Sequence, residues 1–339
     1  MFNLNLSKML FFLIMIMSTL FSISSISFFN LWMGMEINLI AFIPLMINLN
    51  NNLNSESLMK YFITQSLGSV NFIFSSLLLI SFNKWFLINS MINISIFKIL
   101  NLTLFLKMGA APLHFWFPKV MKGINWNSCF ILSTWQKIIP MITLSYCFNI
   151  NLMYFFIILS ALIGSLMGLN QTSLKLIMSY SSISHISWMI SSIMMNLNLW
   201  LIYFILYSVM TFILMINFFL MNLNHMNQFF FMKSNLNLNF FMFLSFLSLG
   251  GLPPFLGFFP KWLLINHLIS LNYNFLILIL IFSSLINLFF YTRMFYSFMM
   301  LNFFEMKFSF FLNFNFINNI LLKLNYLSIF GLILIFSFY

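Results

Sequence analysis

From Met9 to Tyr339 one apolar run follows another, each close to the length that crosses a bilayer, with only short Asn, Ser and Lys breaks between them. A hydrocarbon core of about 30 Å needs about 20 apolar residues per helix. Eleven runs meet that length, at about 5–26, 28–48, 57–82, 92–122, 126–147, 150–170, 173–194, 198–222, 237–270, 274–300 and 321–339. Stretches such as Leu276–Ile281 and Leu152–Leu159 do not alternate as the strands of a membrane barrel must. The expectation is an all-α, polytopic membrane protein with about eleven transmembrane helices. The longest connections, near 223–236 and 301–320, are too short for a further domain, so 1–339 reads as one membrane-embedded unit.

Composition sharpens this reading. Only 5% of residues are charged and mean hydropathy is +1.04, against about 25% charged residues in a soluble domain. The net charge of +11 would suggest nucleic acid in a soluble chain. Here the lysines stand singly between apolar runs, and no nucleic-acid partner is expected. Lys8 and the run after it have the look of a signal peptide, but similar runs continue along the whole chain, so a first span is the better reading. Asp is absent, Arg occurs once and Val three times, whereas Phe occurs 50 times and Met 28. That skew fits an AT-rich genome that reads ATA as Met, as in animal mitochondria.

Eleven spans put Lys8, Lys60, Lys119, Lys122, Lys175, Lys233, Lys307 and Lys323 on one side, and Lys84 and Lys98 on the other. The bias places the N-terminus inside and the C-terminus outside. Lys107, Lys137, Lys261, Arg293 and the acid Glu36 are not explained by topology. A charge at mid-membrane costs about 2.5–3.5 kcal/mol on insertion scales and usually marks an ion or proton path. Pairing for stability, or snorkelling to a headgroup, is the competing reading for each, and snorkelling is preferred for Arg293. Burial disfavours the charged form of a lysine. At least one of the three lysines is therefore expected to exchange its proton. Pro140 cannot donate to the carbonyl of Gln136, which would leave an acceptor beside Lys137.

Runs 92–122 and 237–270 are too long for one span, and each holds a Gly/Pro cluster. Of the chain's 10 Gly and 7 Pro residues, ten fall in these two stretches when Gly123, just past the first, is counted. Gly109 to Pro112 aligns with Gly250 to Pro253, and Pro118-Lys119 with Pro260-Lys261 after one inserted residue. Paired interrupted helices in corresponding positions point to a transporter site. Five spans separate them, so they run in opposite directions, as in an inverted repeat. Paired structural kinks would be the plainer account.

His114, His185, His225 and His267 show no metal-ligand spacing, and no metal site is expected. No G-x-G-x-x-G or phosphate-binding loop is visible, so no nucleotide site is expected on this chain. Cys129 and Cys147 stand too far apart along one span to bridge. The serines around His185 suit either a hydrated stripe or close helix packing.

Met33-Gly34-Met35-Glu36-Ile37-Asn38, Lys107-Met108-Gly109-Ala110-Ala111-Pro112-Leu113-His114-Phe115-Trp116, Thr134-Trp135-Gln136-Lys137, Gly168-Leu169-Asn170-Gln171-Thr172, Ser181-Ser182-Ile183-Ser184-His185 and Gly250-Gly251-Leu252-Pro253-Pro254 to Pro260-Lys261-Trp262 together resemble the NADH dehydrogenase subunit 2 family. These are mitochondrially encoded, antiporter-like membrane subunits of respiratory complex I, and the length and bias resemble insect members. The resemblance implies two inverted five-helix repeats with discontinuous helices, at about 5–147 and 150–300, followed by a C-terminal helix at 321–339. It implies that Glu36 and Lys107 form a coupling ion pair, that Lys137 is the central lysine, and that Lys261 serves the second broken helix. His114 and His185 would lie on a polar axis. It also implies no redox centre in this chain: NADH, FMN, iron–sulfur clusters and ubiquinone belong to partner subunits. Partners would be other membrane-arm subunits, antiporter-like and small ones included, and phospholipids, in the mitochondrial inner membrane with the N-terminus in the matrix and the C-terminus in the intermembrane space. A free-standing cation/proton antiporter would share the repeat and the lysines, although the lack of Asp leaves few hard oxygen ligands for Na⁺. A purely structural scaffold is the other alternative.

Overall fold

The computed structural model describes residues 6–47, 52–85, 90–231 and 236–301. The link at 302–320, the final run at 321–339 and Lys233, Lys307 and Lys323 lie outside the described residues. The described chain is helical throughout apart from turns and one isolated bridge, Ser173 to His225.

The chain divides into two compact units, Met1–Ser160 and Ala161–Tyr339. In the first, α1 (Leu6–Ile23), α2 (Phe28–Met46) and α3 (Asn52–Trp85) are followed by α4 (Ser90–Met108), α5 (Trp116–Gly123), α6 (Trp126–Ser133) and α7 (Trp135–Tyr146). Helix α8 (Ile150–Leu169) runs from the first unit into the second. The second holds α9 (Leu174–Met195), α10 (Leu197–Leu220), a 3₁₀ turn (Met226–Phe231), α11 (Leu236–Gly250), α12 (Phe258–Ser270) and α13 (Asn274–Leu301).

Six helices are long and apolar enough to cross a membrane among the described residues: α1, α2, α3, α8, α10 and α13. The other described runs depart from a simple span for physical reasons. Run 92–122 is divided into α4 and α5, and run 237–270 into α11 and α12, at the Gly/Pro clusters. Run 126–147 is divided into α6 and α7, and α9 is rich in serine. The six apolar helices expose large side chains such as Leu13, Met17, Phe62, Phe74, Phe275 and Leu285. In water such faces would drive aggregation; in a bilayer they are the outer surface.

Many serines of these helices satisfy themselves locally. Ser18, Ser22, Ser75 and Ser160, for example, donate to carbonyls one turn back. Such back-bonding lets a hydroxyl sit in an apolar medium without an external partner.

Candidate functional site

The two interrupted helices end in the same way. α4 stops at Gly109, whose φ of +73° lies in the left-handed region that a side chain disfavours. Gly109 N donates to Leu106 O at 3.1 Å and Ala110 N to Phe105 O at 3.0 Å. α11 stops at Gly251, with φ of +82°. Gly251 N donates to Ser248 O at 3.1 Å and Leu252 N to Leu247 O at 3.4 Å. Both are Schellman caps. Each connecting stretch also contains one cis proline peptide, Ala111–Pro112 and Pro253–Pro254.

The register differs from the sequence expectation. The step from Met108 to Gly250, where the first halves end, is 142 residues, and the step from Trp116 to Phe258, where the second halves begin, is also 142. Gly109 therefore corresponds to Gly251 rather than Gly250, and Lys119 to Lys261 without an insertion. Side-chain identity favoured the first Gly of the Gly-Gly pair, whereas the backbone needs a Gly only at the left-handed position.

In the first unit, Lys107 lies in the last turn of α4, where a cation suits the helix C-terminus. It is only 7% exposed. Side chains also reach the carbonyls at the break: Trp116 Nε1 donates to Leu106 O at 2.9 Å, beside the bond from Gly109 N, and Gln65 Nε2 to Lys107 O at 3.2 Å. The implied ion pair is not closed. Lys107 Nζ reaches Met35 Sδ at 3.4 Å, while the neighbouring Glu36, half-buried, acts on it electrostatically at longer range. Among the described residues the ion pair within 4 Å is that of Glu56 with Lys60.

Lys137 is 1% exposed. The helix break beside it is at Thr134 (φ −116°, ψ −71°), and α7 runs on through Pro140, which as a proline cannot donate to Gln136 O. Lys137 Nζ stands 5.3 Å from the centre of the Phe117 ring, in range for a cation–π contact. A Cβ on Gly109 would come within 3.1 Å of Phe117 Cβ, so the glycine cap of α4 and the lysine of α7 share one phenylalanine. Beside Lys137, Asn38 and Gln136 exchange amide hydrogen bonds at 3.0 and 3.2 Å, and the Tyr61 hydroxyl donates to Gln136 Oε1 at 3.4 Å. Asn38 and Gln136 stood in the quoted motifs without a role; Tyr61 and Gln65 carried no signal in the sequence. His114 is buried between α4 and α5, with Nδ1 3.3 Å from Pro112 O and its ring stacked on Phe115.

In the second unit, Lys261 lies in the first turn of α12 and is 7% exposed. Its Nζ donates to Gly250 O at 2.7 Å, capping the C-terminus of α11, and lies 5.7 Å from the centre of the Trp188 ring. The corresponding Lys119 is exposed. His185 is buried on α9, with Nδ1 2.9 Å from the Tyr203 hydroxyl of α10. The serines around it donate to their own helix, as Ser181 does to Met178 O and Ser187 to Ser184 O. A Cβ on Gly164 would meet Ser184 N at 2.7 Å. These contacts favour close packing over a hydrated stripe. Arg293 does not snorkel: it donates to Leu169 O through one terminal nitrogen and to Gln171 O at 3.0 Å through the other, capping α8. Cys129 lies in α6 and Cys147 caps α7, both buried and unbridged.

A family model described as NADH:quinone oxidoreductase/Mrp antiporter, transmembrane, matches residues 25–287. Solved structures share the fold. A chain of respiratory complex I from Thermus thermophilus with bound aureothin has a TM-score of 0.82 at 17% identity, covering 98% of this chain and 79% of that one. A chain of the Mrp complex from Dietzia sp. gives 0.73 at 14% identity, covering 84% and 59%. These define an antiporter-like membrane fold. The NADH-ubiquinone oxidoreductase chain 2 of Aedes aegypti is 48% identical over 97% of both chains, and that of Anopheles gambiae 45% over 98% of both. The chain belongs to the NADH-ubiquinone oxidoreductase chain 2 family.

Proposed function

We propose that this chain is a core membrane-arm subunit of proton-pumping NADH:ubiquinone oxidoreductase. It conducts or electrostatically relays protons across the mitochondrial inner membrane through Glu36, Lys107, Lys137 and Lys261, with His114 and His185 on the same polar route. It works as a non-redox subunit beside other membrane-arm subunits and phospholipids, with NADH, FMN, the iron–sulfur clusters and ubiquinone bound by partners. The matched breaks and the lysine bias favour eleven spans, two inverted repeats within one embedded domain, and an N-terminus in the matrix with the C-terminus in the intermembrane space.

The observation that carries this reading is the pair of Schellman-capped breaks 142 residues apart, each with a buried lysine at the C-terminus of its first half-helix. Irregular backbone at membrane depth is tolerated where it is enclosed by protein or lines a wet cavity. Lys107 reaches that position from within α4, and Lys261 reaches it across the break. The open Glu36–Lys107 arrangement suits an electrostatic relay. Moving the two charges together or apart changes how readily Lys107 holds its proton. That change passes to the next lysine through Coulomb interaction, which is strong where water is excluded. Quinone chemistry in the partner subunits supplies the perturbation. Each proton moves against about 2.3 kcal/mol per 100 mV of membrane potential.

The test replaces Lys107, Lys137 or Lys261 by Met in the assembled complex and counts protons per NADH oxidised in proteoliposomes. Loss of pumping with assembly retained is expected. Full pumping by any of the three removes that residue from the path.

A further inference from the structure

Tyr203 is 2% exposed and sits on α10, facing the buried imidazole of His185 on α9. Its hydroxyl stands 2.9 Å from His185 Nδ1, and among the described residues this is its one hydrogen-bond partner. The ring of Tyr207, one turn further along α10, lies 5.0 Å from the imidazole centre. The serines flanking His185 turn their hydroxyls back to their own helix. Ser184 in addition accepts from Asn287 Nδ2 of α13 at 2.8 Å. Tyr203 is thus the group on α10 that orients the imidazole.

The direction of that bond decides where the histidine carries its proton. A neutral imidazole offers one donor and one acceptor nitrogen, and a phenol has one proton to donate. If Nδ1 carried the proton, the Tyr203 O–H would be left without an acceptor in a dry interior, a desolvation loss that buried groups avoid. If the hydroxyl donates, the phenol proton and Nδ1 satisfy each other, and the imidazole proton sits on Nε2. We propose that Tyr203 is a positioning residue of the proton path: its hydroxyl donates to His185 Nδ1, fixing the imidazole orientation and keeping the exchangeable proton on Nε2. This rests on the reading of His185 as a member of that path.

The experiment uses the assembled complex carrying Tyr203→Phe, His185→Gln or both. Three quantities are read: protons pumped per NADH in proteoliposomes, NADH oxidation with an uncoupler, and the infrared C4–C5 stretch of ring-labelled histidine, which differs between the two neutral tautomers. Phe keeps the ring and its packing. Tyr203→Phe is expected to lower pumping about five-fold, the effect of losing one ordinary hydrogen bond, with any fall in uncoupled oxidation no larger than that of His185→Gln, and to shift the His185 band. The double variant should match His185→Gln alone, because Tyr203 acts through the histidine. An additive double variant overturns the proposal, and so does an unchanged rate and band in Tyr203→Phe when His185→Gln is impaired. Normal pumping by His185→Gln instead removes the histidine from the path, and the proposal with it. Should Tyr203→Phe not assemble, the unsubstituted complex decides: an Nδ1–H band for the tyrosine-bonded histidine contradicts the proposal, and an Nε2–H band supports it.

Discussion

Gly251→Ala isolates the contact between Lys261 and the end of α11. The substitution meets two penalties. The backbone there has φ of +82°, and a left-handed alanine costs about 1–2 kcal/mol. The new Cβ would stand 2.8 Å from Lys261 Nζ, 3.0 Å from its Cδ and 3.1 Å from its Cε. The backbone cannot yield without dismantling the cap, so the lysine moves away from Gly250 O. That surrenders a hydrogen bond to a charged group, worth about 1.5–3 kcal/mol. Together the penalties are about 2.5–5 kcal/mol. Gly250→Ala is the matched control. Its Cβ would meet nothing closer than Tyr291 Cδ2 at 3.4 Å, and alanine is the better helix residue by up to about 1 kcal/mol. The assay is proton pumping per NADH in proteoliposomes, alongside thermal stability of the assembled complex. Gly251→Ala should lower both, and Gly250→Ala neither. Normal pumping by Gly251→Ala, or equal damage from Gly250→Ala, would refute the role given to the Lys261–Gly250 contact.

Other contacts predict distinct outcomes. Gly164→Ala places a Cβ 2.7 Å from Ser184 N and 3.0 Å from Tyr180 O; overpacking of about 1–3 kcal/mol should lower the melting temperature of the complex. Arg293→Gln removes the donors to Leu169 O and Gln171 O and should reduce assembly, read on native gels, while complexes that do form pump normally. Asn38→Leu strands the Gln136 amide at about 1–3 kcal/mol, and the double variant with Gln136→Leu should lose less stability in thermal unfolding than the two single effects summed.

What could be read from sequence follows from what each feature depends on. Apolar run length is a local property, so α1, α2, α3, α8, α10 and α13 lie close to their expected positions. The Gly/Pro clusters gave the breaks after α4 and α11 because proline and left-handed glycine act through their own backbone. The break at Thr134 has no such marker, since the proline of this stretch, Pro140, stands within α7. Which glycine of Gly250-Gly251 ends α11 depends on backbone geometry rather than identity. Partner choice was the least legible. Arg293 reads as a snorkelling cation until its approach to the end of α8 is known. Glu36 and Lys107 read as a pair, but only the structure shows Met35 Sδ beside the ammonium while the carboxylate acts from farther away. Tyr203 and Tyr61 carried no signal, because an aromatic residue in a membrane span is ordinary and only its buried hydroxyl contact sets it apart.

Proton relay through this chain requires that the buried lysines exchange protons during turnover. Turnover-induced infrared difference spectra of the assembled complex with isotope-labelled lysine test it most directly, compared with the Lys107→Met, Lys137→Met and Lys261→Met forms. Ammonium bands should appear and disappear with turnover and be lost, band by band, in the variants. Spectra in which all three lysines stay charged throughout the cycle would contradict it.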